Sequence, residues 1–224
     1  MNQSNPAIAR SSAGAIETNK VLRNTYALLS MTLLFSALTA GLSMAYDLPH
    51  PGLVLTLVGY FGLLFLITKF RDSALGILFV FALTGFMGLT LGPILHGYIG
   101  HYANGTQLVA MALGGTGVTF LGLSAYALVS RKDFSFLGGM LGAGILVAFL
   151  VGLAAVFMPD MPAMSLTASA MFVVLMAGMI LFETSRIIHG GETSYVMATV
   201  SLYVSIYNLF TSLLNLLGFF GGEE

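Results

Sequence analysis

Charge is scarce in this chain, and its placement cuts the sequence into lengths that match a bilayer. Uncharged runs separate Arg23 from Asp47 (23 residues), Asp47 from Lys69 (21) and Asp72 from Arg131 (58). Others separate Asp133 from Asp160 (26), Asp160 from Glu183 (22) and Glu192 from Glu223 (30). A membrane-spanning helix needs about 20 mainly apolar residues. The 58-residue run suits two spans, and Gly92-Pro93, His96, His101 and Asn104-Gly105 carry the turn residues that would divide it. The expectation is an all-α polytopic membrane protein, a bundle of seven transmembrane helices. They fall near 25–46, 52–69, 74–95, 107–130, 135–158, 164–188 and 194–219.

Composition removes the competing classes. The 224 residues are 57% hydrophobic and 8% charged, whereas a soluble domain is roughly a quarter charged. Eight scattered Lys and Arg cannot form the basic patch that nucleic acid requires. The hydrophobicity excludes disorder. Without cysteine there is no disulfide, thiolate metal site or Cys nucleophile. Barrel strands alternate polar and apolar residues; here the runs are continuously apolar.

Lys and Arg also give an orientation. Arg10, Lys20 and Arg23 precede the first helix. Lys69 and Arg71 fall in the second connection, Arg131 and Lys132 in the fourth, Arg186 by the sixth. All eight lie on one side, so the N-terminus is expected in the cytoplasm and Glu223-Glu224 outside. Ser43-Met44-Ala45 resembles a leader-cleavage site, but the apolar stretch before it is long and about 20 polar residues precede it. The first helix is therefore expected to be retained. Residues 1–19, rich in Ser, Asn, Ala and Gly, are expected to be a flexible cytoplasmic tail, with the transmembrane domain occupying 20–224.

Small residues recur at helix-packing intervals: Ala37, Gly41 and Ala45; Gly88 and Gly92; Gly138 and Gly142; Gly144, Ala148 and Gly152. Such spacing lets helix backbones approach closely in lipid. The seventh helix carries Ala198, Ser201, Ser205, Asn208, Ser212 and Asn215 on one face, over about 26 Å at 1.5 Å per residue. That polar seam must face the bundle interior. It is either hydrogen-bonding glue, worth roughly 0.6 kcal/mol per contact, or the lining of a hydrated path.

Glu183 is the one acid well inside a predicted helix, and an intramembrane carboxylate is a functional candidate. Burial disfavours its charge, whereas Arg186, one turn on, favours it. The alternative is an i, i+3 ion pair at the helix end with Arg186 reaching outward. In Ile188-His189-Gly190-Gly191-Glu192-Thr193, a glycine can end one helix and Thr193 or Ser194 can cap the next. His189 and Glu192 lack an evident third metal ligand. Gly122-Leu123-Ser124-Ala125 has no histidine on a predicted helix core to act as its base. No enzyme activity, cofactor or metal is expected.

Gly88-Leu89-Thr90-Leu91-Gly92-Pro93-Ile94-Leu95 carries the G-x-x-[LIVM]-G-P-x-[LIVM] pattern and so resembles the Bax inhibitor family of seven-helix membrane proteins. Ala112 to Gly117 with Phe120 is similar to its continuation. The segments 20–26, 131–139, 188–193 and 198–208 resemble the family's bacterial branch. The resemblance covers roughly residues 18–220. It implies a bacterial inner-membrane protein that associates with FtsH, a membrane-bound ATP-dependent protease, and restrains it. Some relatives instead resemble proton-sensitive calcium leaks, with two acids sharing a proton on the last two helices. Here Glu183 stands at the first position and Ser205 at the second, so the resemblance implies a broken pair. The candidate residues are Glu183, Arg186, Ser201, Ser205, Asn208 and Ser212. The implied partners are the FtsH complex, the bilayer and, in the leak alternative, calcium or protons.

Overall fold

A computed structural model describes the backbone of residues 6–222 and the side chains from Thr18 onward. Residues 1–5 and 223–224 lie outside the described residues, as do the side chains of 6–17. Of residues 1–19, expected as a flexible tail, 6–19 have helical backbone and form the first turns of α1, while 1–5 and the C-terminal acids lie outside the described residues. Among the described residues the helices are α1 (Pro6–Ala45), α2 (Leu53–Phe70), α3 (Ala74–His101), α4 (Gly105–Ser130), α5 (Gly138–Phe157), α6 (Pro162–Ile188) and α7 (Tyr195–Gly221). A short 3-10 turn, Ser135–Leu137, leads into α5. Each of the seven helices is long and apolar enough to cross a membrane, and no strand is present among the described residues.

Cross-bundle contacts show the helices alternating in direction. At one end Phe134 N donates to Ser185 Oγ, linking the α4–α5 connection to the end of α6. At the other, Asn104 Nδ2 donates to the Gly221 carbonyl and Asp47 meets His96. All Lys and Arg of the described connections gather at the first end, termed the basic end.

The expected break near Gly92-Pro93 is not a break. α3 continues through Pro93 to His101, and the turn comes at residues 102–104. Proline removes the i→i−4 hydrogen bond and frees the carbonyl of Leu89. Ser43 Oγ of α1 donates to that carbonyl at 2.9 Å, so a neighbouring helix replaces the missing donor, as membrane bundles allow. Glycine makes that approach possible. A Cβ on Gly92 would strike the Ser43 side chain, and one on Gly88 would strike Thr39 Oγ1 and the Ser36 carbonyl. The α1 face that meets α3 therefore runs through Ser36, Ala40 and Ser43. Gly41, expected in a packing stripe, has nothing within 4 Å of its Cβ position.

α3 and α7 are the most buried spans, and α2 and α5 the least. The largest core cluster joins Leu29 of α1, Ile67 of α2, Val80, Leu83 and Met87 of α3, and Val196, Leu202 and Tyr203 of α7. Tyr203, 1% exposed, shares a hydrogen bond with Ser36 Oγ at 2.7 Å and donates to the Thr84 carbonyl at 3.3 Å. Tyr207 Oη lies 3.4 Å from Thr90 Oγ1. These contacts satisfy the tyrosine hydroxyls where lipid supplies no partner. The outward faces of α2 and α5 expose Val54, Phe61, Phe65, Leu146 and Leu150, as a lipid-facing surface should.

Candidate functional site: a buried carboxylate and the α7 seam

Glu183 lies five residues before the end of α6 and is only 2% exposed. Its Oε2 accepts from Arg186 Nη1 at 3.4 Å and from Ser201 Oγ of α7 at 3.3 Å. Its Oε1 is buried without a partner. Nη2 of Arg186 turns toward the connection, donating to the Gly191 carbonyl at 3.1 Å and Glu192 Oε2 at 3.3 Å. The guanidinium also rests over Phe182. Arg186 thus joins a buried acid to the acid of the next loop, and its inner contact is the i, i+3 pair expected near the helix end.

Ser205 is buried and aligned with the seam, but its hydroxyl donates to the Ser201 carbonyl at 2.8 Å. The serine that donates to Glu183 is Ser201, one turn nearer the basic end. Asn208 Nδ2 donates to the Val204 carbonyl. Asn215 Nδ2 crosses to Ser165 Oγ of α6 at 2.8 Å. The seam therefore faces α6, and at both ends its polar groups bond across the helix pair.

Between these ends the interior differs. Met176 and Ile180 of α6 and Leu209 of α7 form a buried apolar cluster with Phe120 and Leu123 of α4 against it. Along α6 these residues stand between Glu183 and an open cleft of about 350 Å³ in the other half. Ser165, Ser169, Asn208, Thr211, Ser212 and Asn215 line that cleft, with Gly152 and Ala155 of α5. Ser212 thus belongs to the cleft and not to the surroundings of Glu183.

The loop at the basic end is more fixed than its composition suggests. Gly190 takes φ +73°, where a side chain would be strained, and Ser194 Oγ accepts from Met197 N as the α7 cap. Glu192 Oε1 accepts from Ser194 N at 2.9 Å. His189 places Nδ1 2.9 Å from the Ser185 carbonyl and Nε2 3.2 Å from that of Arg131. His189 and Glu192 are thus committed to backbone and Arg186 contacts. Ser185, buried, donates to the Lys132 carbonyl and accepts from Phe134 N. Nearby, Asp133 is held below the usual carboxylate range by the Ser135 backbone N–H.

This latch between the α4–α5 connection and α6 is not legible in the sequence, because a serine near Glu183 gives no pattern of its own. Ser185→Ala should cost about 1–3 kcal/mol, because Phe134 N and the Lys132 carbonyl lose their partner. Thermal unfolding in detergent checks this. Ser30→Ala serves as the control and should leave the midpoint nearly unmoved, since Ser30 is exposed and its hydroxyl bonds back to the Tyr26 carbonyl of its own helix.

Together these features define a seven-helix membrane protein whose last two helices enclose one buried acid. The family model described as "Inhibitor of apoptosis-promoting Bax1" matches residues 18–222, and the chain belongs to the Bax inhibitor family. It is 57% identical over 204 residues to the "Modulator of FtsH protease YccA" of Escherichia coli K12, covering 91% of this chain and 92% of that one. An E. coli O6:H1 relative at the same identity is named "Inner membrane protein YccA". An uncharacterized protein of Pseudomonas aeruginosa is 50% identical over 208 residues, 93% of each chain.

Proposed function

We propose that this chain is an inner-membrane modulator of the FtsH protease, restraining it by occupying it. The observation that carries the reading is 57% identity along 91% of the chain to a protein named for that role. We place the N-terminus in the cytoplasm and the C-terminus outside, because every Lys and Arg lies at one end. α1 supports a cytoplasmic handle. Its 40 residues reach about 60 Å, twice the roughly 30 Å hydrocarbon layer, so its first turns project beyond the lipid. A protease that grips this extension meets a bundle tied by the α1–α3 and α3–α7 contacts. Slow extraction then delays other substrates.

The calcium-leak reading has weaker support. The second acid position holds Ser205, and Met176, Ile180 and Leu209 fill the interior between Glu183 and the open cleft. Co-purification from mild detergent tests the modulator reading. Tagged chain should retain FtsH, and its overproduction should slow turnover of an FtsH substrate several-fold. Absence of both effects overturns the reading.

A further inference from the structure

The cleft between α5, α6 and α7 contains an anomaly. Most of its polar side chains are satisfied: Asn215 bonds Ser165, Asn208 the Val204 carbonyl and Thr211 the Tyr207 carbonyl. Ser169 and Ser212 are not. They are only 7% and 6% exposed, line the cleft and have no hydrogen-bond partner among the described residues. On these helices Thr167 and Ser205 bond back to the carbonyl four residues earlier; Thr184 Oγ1 of α6 also lacks a partner, but it is buried in the bundle and does not line the cleft. Two hydroxyls presented to a cleft without that internal bond are free for a visitor.

Depth narrows what the visitor is. Asn208 is the midpoint of the 27-residue α7, and Leu175 is the midpoint of the equally long α6. Ser212 and Ser169 lie four and six residues outward from these midpoints, about 6 and 9 Å at 1.5 Å per residue. The hydrocarbon half-thickness is about 15 Å, so both hydroxyls lie deeper than lipid ester groups. The lining carries no charge, which disfavours an ion. Gly152 of α5 packs on Ala168 of α6, whose Cβ lies 3.6 Å from that glycine's Cβ position, so α5 and α6 already meet closely beside the cleft. Hydrocarbon at this depth supplies no hydrogen-bonding group, so a partner for the two hydroxyls arrives on a membrane-spanning helix.

We propose that this cleft seats a transmembrane helix of the partner protease, which places an uncharged hydrogen-bonding side chain, Ser, Thr, Asn or Gln, against Ser169 and Ser212. The inference rests on the FtsH reading and adds the docking face. Because these hydroxyls do nothing for the free bundle, Ser169→Ala with Ser212→Ala should leave its thermal midpoint unchanged or raised. The same pair should lower FtsH co-purification roughly five- to tenfold. Ser169→Leu with Ser212→Leu, which fills the cleft, should abolish it.

The chain has no native cysteine, so single-cysteine photocrosslinking is clean. A probe on Val156→Cys at the cleft should form an adduct with FtsH, and one on Val118→Cys, exposed on α4, should not. The seat is overturned if the alanine pair binds normally or if the adduct forms from Val118→Cys instead. Those results leave FtsH binding by the wild-type chain standing. Failure of the wild-type chain to co-purify overturns the seat, and failure to slow substrate turnover as well overturns the FtsH reading too.

Discussion

Gly88→Ala should destabilise the bundle by about 3 kcal/mol or more, near the upper end of overpacking costs, while Gly41→Ala should be neutral or slightly stabilising. Both replace a helical glycine with a better helix former, so propensity alone predicts the same modest gain at each site. Their surroundings differ. A Cβ on Gly88 meets Thr39 Oγ1 and the backbone carbonyl of Ser36, and a carbonyl cannot swing aside as a side-chain tip can. The α1 and α3 axes must separate. Separation also weakens the Ser43 bond to the carbonyl freed by Pro93 and the Ser36 contact with Tyr203. Gly41 faces open space. Unfolding followed in detergent by SDS titration or heat checks the pair. Equal behaviour of the two variants would contradict the α1–α3 packing.

The α1–α3 contact also shows which parts of the fold are legible in the sequence. Span number and approximate limits follow from uncharged runs, because burying charge in lipid is costly enough to punctuate the chain. The α3–α4 boundary does not follow, because Gly and Pro have opposite meanings in water and in lipid. In a soluble protein Gly92-Pro93 marks a turn. Here glycine admits α1, and a serine of α1 supplies the donor that proline lacks.

The candidate site is legible in part. The seam's spacing locates the α6-facing side of α7, since polar groups must turn inward, and Glu183 stands out as an isolated acid. Periodicity cannot rank Ser201 above Ser205, because both occupy that face and the helix pair's relative height decides which reaches the carboxylate. Ser169 lies outside the seam altogether. A serine on α6 acquires meaning only when α5 and α7 close around it.

Arg186→Leu should be the most damaging substitution at the basic end, at about 3–5 kcal/mol, the usual cost of removing one member of a buried pair. Arg186 is itself one-third exposed, so solvent screens its outer contact with Glu192. The inner contact lacks that relief. Glu183 is 2% exposed, one of its oxygens already has no partner, and without Arg186 only the Ser201 hydroxyl remains as a donor. The loop also loses the donor to the Gly191 carbonyl. Glu183→Gln alone should cost much less, because an amide fills the same space without a charge needing compensation.

The double variant separates two causes. If the loss in Arg186→Leu comes from a stranded carboxylate, adding Glu183→Gln should recover more than half of it, giving a coupling of roughly 2 kcal/mol in a double-mutant cycle. If Arg186 acts chiefly by holding the α6–α7 loop through Gly191 and Glu192, the second substitution should recover nothing and Glu192→Gln should mimic the loss. Thermal midpoints of the five chains in one detergent decide between a pair that neutralises the bundle interior and a clasp that shapes its basic rim.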